Sequence, residues 1–316
     1  MSVNTTIQAR PKRSKLNSLR KEFAKSWQLY FFVLPGLVYY IIFHYFPLYG
    51  IQIAFKDYKA ISGIEGSAWV GLKHFDTFFK SYLAWPLVKN TLLLNLYVLI
   101  FGFPIPVILS LLLNRVAAPK FKKFSQTVIY IPHFISTVVL AGMLYIFLEP
   151  TNGFVNKLIV LFGGTPKFFM AESSWFRRVF VISAIWQNSG WSTIVYIAAL
   201  TGIDQEMYEA ARLDGASIVK QIWYIDMPSI IPMAMMMLIL NSGQIMAGNM
   251  QKTLLLQTAG NKGTSNTIGV YVYQMGLQNA QFSYTAAIGL FQNFISFIMV
   301  STVNAISKRA SSISMF

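Results

Sequence analysis

Long apolar stretches separated by short polar segments are the main feature of this chain. Six stretches are predominantly apolar and about 20 residues long or longer, the length that a helix needs to cross a bilayer core about 30 Å thick. This pattern predicts an all-α membrane protein with six transmembrane helices, in a domain of residues 27–316 that follows a basic tail of residues 1–26. The predicted spans cover residues 28–54, 87–113, 127–148, 179–200, 230–248 and 280–306.

The composition favours the same class of protein. Of the 316 residues, 55% are hydrophobic and 12% are charged, whereas soluble domains carry about 25% charged residues. Cysteine is absent, which excludes disulfides and thiolate metal sites. The three histidines (His44, His74 and His133) show no ligand spacing, so we expect no metal site.

The net charge of +15 does not indicate nucleic-acid binding, because the basic residues collect at the ends of apolar stretches rather than along one stripe. They indicate topology and contact with anionic lipid. Lysine and arginine concentrate on the cytoplasmic side of membrane proteins, and here they crowd the tail (seven residues) and the segment 114–126. We therefore expect both termini and the segment 201–229 to be cytoplasmic. Segments 55–86, 149–178 and 249–279 are expected outside.

The polar segment between the fourth and fifth spans has the pattern of a helix–turn–helix. Residues 205–213 predict a helix, and Gly215 permits the turn that follows. Ser217 is a possible cap for a second helix, which we expect to end near Pro228 because proline cannot continue a hydrogen-bonded helix. Three isoleucines on the second helix predict a stripe that anchors it to the bundle: Ile218, Ile222 and Ile225.

The side chains of this segment fit either of two roles. Ala210 and Ala211 give a smooth helix that could enter a cleft, and Glu209, Arg212 and Asp214 could pair with charges of a partner. An amphipathic helix resting on lipid headgroups has the same features, and the residues alone leave both readings open.

The same residues resemble a known motif. Glu209-Ala210-Ala211, Asp214-Gly215-Ala216, Ile225 and Pro228 match the EAA motif of binding-protein-dependent ABC importer permeases, with Ile222 and Met227 in place of the usual Phe and Leu. The resemblance implies a type I (MetI-like) permease fold. It also implies that residues 204–228 form a coupling segment that docks on an ATPase subunit, with contacts from Glu209, Ala210, Ala211, Arg212, Asp214, Gly215 and Ala216.

Other parts of the chain resemble carbohydrate permeases. The run Trp69–Phe75 is similar to maltose-type permeases, and Phe46–Gly50 with Ala54–Tyr58 is similar to the branch that serves lipoprotein-dependent polysaccharide or oligosaccharide uptake. The resemblance implies a multi-pass subunit of a bacterial cell membrane that translocates a carbohydrate. Its expected partners are a second homologous permease, two ABC ATPase subunits and an extracellular solute-binding protein. A peptide or modified sugar is the alternative cargo.

The predicted spans contain almost no ionisable residues, which suits a neutral, hydroxyl-rich cargo and argues against an ion-coupled carrier. Amides can donate to and accept from sugar hydroxyls, and aromatic faces can stack on sugar rings. The candidate pathway residues are Gln187, Asn188, Trp191, Asn241 and Gln244. Hydrogen bonding between helices is the alternative role for the amides.

No enzyme chemistry is expected in this chain, because buried acid–base or metal-ligand clusters are not visible in the sequence. Residues 260–265 have phosphate-loop residue types but not the phosphate-loop order, and a flexible external loop is expected there. We therefore expect no cofactor in this chain, with ATP and Mg²⁺ bound by the partner ATPases.

Overall fold

The computed structural model describes the backbone of residues 15–311 and the side chains of residues 25–309. Two compact units, residues 1–52 and 53–316, make up the chain. The first contains α1 (Lys15–Tyr40), bent at Ser26, followed by a π-helical turn over Ile41–Tyr45. Of the predicted basic tail, residues 1–14 lie outside the described part, and α1 begins at Lys15, inside that tail.

The boundary between the units falls within a 3₁₀ helix over Phe46–Phe55. The second unit continues with an antiparallel hairpin of β1 (Lys56–Lys59) and β2 (Gly63–Trp69), which the sequence did not predict. The rest is helical. The helices are α2 (Lys73–Lys80), α3 (Ala84–Gly102), α4 (Pro104–Asn114), α5 (Pro119–Tyr130), α6 (Thr137–Phe147), α7 (Phe154–Leu161), α8 (Ser173–Thr201), α9 (Gln205–Leu213), α10 (Ile218–Gln221), α11 (Met227–Gly243), α12 (Met250–Leu256), α13 (Lys262–Ser265), α14 (Ile268–Tyr273) and α15 (Phe282–Ser311).

Within residues 15–311, four helical stretches are long and apolar enough to cross a membrane: Lys25–Phe55, Ala84–Asn114, Ile218–Gly243 and Phe282–Arg309. The pair Pro119–Phe134 and Thr137–Phe147 makes a fifth if it is counted as one span. The fourth predicted span lies in α8, which is helical but not among these stretches. The architecture is that of a helical membrane protein, and the number of six spans stays a prediction.

The third predicted span, residues 127–148, is not one straight helix. The two helices that it covers are bent by 97° at residues 135–136. A 3₁₀ turn over Ile131–Phe134 follows α5. A new helix, α6, then begins with Ser136 as its N-cap, and the Ser136 side chain accepts a hydrogen bond from the Val139 N–H at 3.3 Å. Pro132 supplies no backbone donor, which favours a break at this point.

Helix α8 lies at the centre of the second unit, packed against α3, α4, α5 and α11. Gly190 makes one of these contacts possible. A Cβ at this position would lie 1.8 Å from the carbonyl oxygen of Ile129, so only glycine allows α5 to approach this closely. The end of α8 joins an apolar cluster that includes Ile203, Tyr208 and Ile225, and this cluster positions the coupling segment.

Candidate functional site

The first half of the coupling segment folds as the sequence predicts. Helix α9 spans Gln205–Leu213, and the Asp204 side chain caps it by accepting from the Glu206 N–H at 3.1 Å. At its other end Gly215 has a φ of +74°. The Ala216 N–H reaches the Ala211 carbonyl at 2.8 Å, so the helix closes with the hydrogen-bonded glycine turn common at helix ends.

The second half differs from the prediction. Helix α10 is capped by Ser217, as expected, but the chain does not end its helix near Pro228. It passes through a π-helical turn over Ile222–Asp226 and continues into α11. Proline lacks a donor and crowds the preceding turn. Here the wider π turn precedes Pro228 in the first turn of α11, a position where proline is tolerated.

The motif residues face outward. Glu209, Ala210, Arg212, Asp214 and Gly215 are exposed, while Ala211 and Ala216 are half-buried. None of these charged side chains has an ion-pair partner in the described part of the chain. Leu213, between them, is 89% exposed. The segment therefore presents charges and apolar surface that the described part of the chain does not cover.

The predicted isoleucine stripe is only partly correct. Ile225 is buried in the apolar cluster at the end of α8, but Ile218 is 61% exposed and Ile222 is half-buried. The reason is the π turn, which shifts the angular spacing of the side chains away from that of a regular helix. A polar network supplies much of the anchoring instead.

That network centres on Asp226, which is fully buried. Its carboxylate pairs with the Arg115 guanidinium at the end of α4 and accepts a hydrogen bond from the Tyr208 hydroxyl of α9. Arg115 also donates to Gln221 Oε1 at 2.9 Å and lies 5.0 Å from the centre of the Tyr208 ring. Gln221 donates to the Ala216 carbonyl at 3.0 Å. One buried carboxylate thus ties α4, α9 and the π turn together.

Burial has an electrostatic consequence for Tyr208. Removal of the phenol from water, followed by the hydrogen bond to the Asp226 carboxylate, raises the pKa of Tyr208 to about 12. The hydroxyl therefore stays protonated across the physiological range and acts as a fixed donor to Asp226.

A cleft of about 300 Å³, lined by apolar side chains and by several amides, lies between α3, α8, α11 and the segment that follows α11. Four of the five predicted pathway residues line it: Gln187, Asn188, Asn241 and Gln244. Trp191 does not. Its ring stacks on His133, with ring centres 4.8 Å apart and planes inclined by 7°, so one of its two faces is occupied within the protein.

The amides of the cleft fall into two groups. Gln187 donates to the Ile135 carbonyl at 2.8 Å and Asn188 donates to the Ala184 carbonyl at 3.0 Å, so both serve at least partly in helix packing. Asn241 and Gln244 are exposed to the cleft, and their side chains make no hydrogen bond within the described residues. These two amides are free to bind a ligand.

The predicted spans contain almost no ionisable residues, yet one lysine from outside them reaches the cleft. Lys252, in α12, lines it together with Asn95 and Asn249. The expectation of a flexible loop at residues 260–265 is wrong: Asn261 and Ser265 are fully buried, and Asn261 donates to the Met170 carbonyl at 3.0 Å. The external location of segment 249–279 stays a prediction.

Residues 102–312, which include the coupling segment and most of the cleft, match the family described as "Binding-protein-dependent transport system inner membrane component". The chain belongs to this family. The permease is 41% identical over 298 residues to the polygalacturonan/rhamnogalacturonan transport system permease protein YteP of Bacillus subtilis (strain 168), covering 94% of this chain and 93% of that protein.

Solved structures place the permease in the same group. It is similar to a chain in the crystal structure of a bacterial ABC transporter that imports the acidic polysaccharide alginate, with a TM-score of 0.85, 35% identity and coverage of 93% of this chain and 99% of that chain. A second structure, of a bacterial alginate transporter in complex with a pentasaccharide-bound periplasmic protein, gives the same TM-score with 34% identity and the same coverage.

Sequence reasoning missed Arg115, Tyr208, Asp226 and Lys252 in this permease. Arg115 was counted only as a topology signal. Asp226 gave a usable signal, because a lone acid in the apolar run IWYIDMP needs a buried partner. Nothing in the sequence indicated that Lys252 would lie beside the amides of α8 and α11, because that contact depends on how α12 folds back.

Proposed function

We propose that this permease is a membrane subunit of an ATP-driven importer of carbohydrate, an oligosaccharide or a fragment of a polysaccharide. The observation that carries the proposal is the coupling segment, whose exposed charges and apolar surface have no partner in the described chain. The names of the relatives support the cargo class, because each names a polysaccharide or its uptake system.

Two ABC ATPase subunits would dock on this segment and on its counterpart in a second, homologous permease. Glu209, Arg212 and Asp214 supply the charges for the rim of that interface, and Leu213 supplies apolar contact. Movement of the ATPases would pass to the membrane helices through the network of Asp226 and the continuous helix 218–243. The cleft would then open alternately to each side of the membrane.

An external solute-binding protein would deliver the cargo. The similarity to a transporter solved with its pentasaccharide-bound periplasmic protein supports this partner. The cleft suits a saccharide because Asn241 and Gln244 offer donors and acceptors for hydroxyl groups, as free amides do.

The docking role is tested with charge reversals on the full complex. Glu209→Lys and Arg212→Glu are expected to reduce co-purification of the ATPase with tagged permease by about tenfold, the effect of losing about 1.4 kcal/mol of interface energy. ATP-dependent uptake of oligosaccharide should fall in the same two variants. The fold should be unaffected because both side chains are exposed.

The matched control is Lys123→Glu, which also reverses an exposed charge on the same predicted face but lies on α5, outside the segment. It should retain the ATPase. If the two segment variants bind the ATPase and transport as well as this control does, the docking assignment is wrong. Uptake that persists with an ATPase-dead partner would contradict the importer itself.

A further inference from the structure

The buried ammonium of Lys252 is the basis of this inference. The residue is 2% exposed, and its Nζ has no hydrogen-bond partner and no carboxylate within ion-pair distance in the described part of the chain. Nζ lies 5.0 Å from the centre of the Phe180 ring, a contact that offsets only part of the lost hydration. A buried cation without an anionic partner destabilises a fold.

The backbone at Lys252 is held beside the cleft. Asn249 caps α12, its Oδ1 accepting from the Lys252 N–H at 2.9 Å. Phe180, Asn249 and Lys252 all line the cleft. The Lys252 side chain therefore forms part of the cleft wall, and its Nζ, which is buried in the empty protein, has to turn toward the cleft to meet a ligand.

No acidic side chain lines the cleft. The lining offers one cation, the free amides of Asn241 and Gln244, and the apolar faces of residues such as Val98 and Ile185. A carboxylate pairs with an ammonium, while hydroxyl groups pair with amides. A sugar unit with a carboxyl group combines both requirements, and a volume of about 300 Å³ is at the small end for ligand sites.

We propose that the cleft binds a uronic acid unit of an acidic oligosaccharide, with Lys252 as the ion-pair partner of its carboxylate and Asn241 and Gln244 as partners of its hydroxyl groups. This inference rests on the proposed function and narrows its cargo class. It also accounts for the unpaired amine: burial lowers the pKa of Lys252 to about 7 in the empty protein, and a carboxylate that arrives with the cargo would favour the charged form.

The test uses the permease in complex with its permease and ATPase partners, and two probes of matched size: trigalacturonate and its fully methyl-esterified, neutral form. Binding of each is measured by equilibrium dialysis without the solute-binding protein, so that the selectivity of that partner does not enter. The wild type is expected to bind the acid at least about tenfold more tightly, the effect of about 1.4 kcal/mol from one ion pair.

Lys252→Met should abolish that preference, and Lys252→Arg, which keeps the charge, should retain it. Lys262→Met, an exposed lysine of α13 outside the cleft, is the matched control and should behave as the wild type. The unfolding midpoint of the empty Lys252→Met complex should be equal to or higher than that of the wild type, because an unpaired charge has been removed.

Equal wild-type binding of the acid and its ester would overturn this inference and leave the proposed function intact. A Lys252→Met variant that keeps the preference would also overturn it, as would one that is destabilised and loses both ligands equally. If neither saccharide binds and no oligosaccharide is taken up in an ATP-dependent manner, the proposed function itself fails.

Discussion

Asp226 does more to position the coupling segment than any residue of the exposed motif. It is fully buried, yet it accepts bonds from side chains of two other elements, Arg115 of the α4 end and Tyr208 of α9. A buried ion pair of this kind adds little net stability by itself, but loss of one partner leaves the other charge uncompensated. The network therefore specifies where the coupling segment sits rather than how tightly the whole fold is held.

Asp226→Asn is expected to lower the free energy of unfolding by about 3 kcal/mol, because it strands the Arg115 guanidinium in a mostly buried position. Thermal unfolding of the purified permease in detergent measures this. The matched control is Asp214→Asn, an exposed carboxylate in the same segment, which should change stability by less than about 0.5 kcal/mol. Equal effects of the two variants would contradict the anchoring role of Asp226.

At the scale of elements, the coupling segment is a short helix joined to a long one by a glycine turn. Helix α9 is exposed on most of its surface and is held through Tyr208 and Ala211, whereas the stretch 218–243 is continuous. The angle between the two depends on the turn, and the turn depends on Gly215, whose φ of +74° other residues adopt with strain.

Gly215→Ala is expected to destabilise the turn by about 1 kcal/mol, from backbone strain alone. A Cβ at this position would meet no atom within 4 Å, so steric overlap does not contribute. Gly202→Ala is the control, since Gly202 has a φ of −81° and an added Cβ would lie 3.5 Å from the nearest atom. The two variants are compared by their unfolding midpoints and by the amount of ATPase bound per permease. An equal loss in both variants would argue against the special role of the turn.

The elements that could be predicted from the sequence are those specified by local chemistry. The bounds of α9, the Ser217 cap and the turn at Gly215 follow from side chains that bond their own backbone neighbours. The apolar run Phe154–Phe162 is too short to cross a membrane, and it forms the short helix α7 over Phe154–Leu161.

The features that could not be predicted depend on contacts distant in sequence. The π turn before Pro228 and the 97° bend near Ser136 are exceptions: a proline marks each site, but the sequence does not give the form of either distortion. Trp191 could not be separated from Gln187 by sequence, since both lie on α8, and the stacking of Trp191 on His133 is seen only in the folded chain.

At the scale of the whole molecule, the ion pair of Arg115 and Asp226 brings the end of α4 next to the coupling segment. The basic segment 114–126 and the segment 201–229 were both predicted to be cytoplasmic, and this contact places them at one end of the helical bundle. That this end is cytoplasmic stays a prediction, based on the basic residues of segment 114–126.

This orientation can be tested by cysteine labelling, because the chain contains no cysteine of its own. Ile61→Cys and Leu213→Cys place single thiols at positions that are 102% and 89% exposed. In intact cells a membrane-impermeant maleimide should label the first and not the second. Permeabilised cells that lack the ATPase subunits, which would otherwise cover residue 213, should show both. Labelling of Leu213→Cys alone in intact cells would show that the topology is the reverse of the predicted one.

The uninterrupted helix from Ile218 to Gly243 has the form of a lever whose two arms differ in length. Asp226, pinned by Arg115, lies eight residues beyond Ile218 and 17 before Gly243. At about 1.5 Å per residue, these are arms of about 12 Å and about 26 Å. If Asp226 is the fulcrum, a sideways displacement of α10 swings the end that bears Asn241 in the opposite direction by about twice as much, so that small motions at the docking surface become large ones at the cleft.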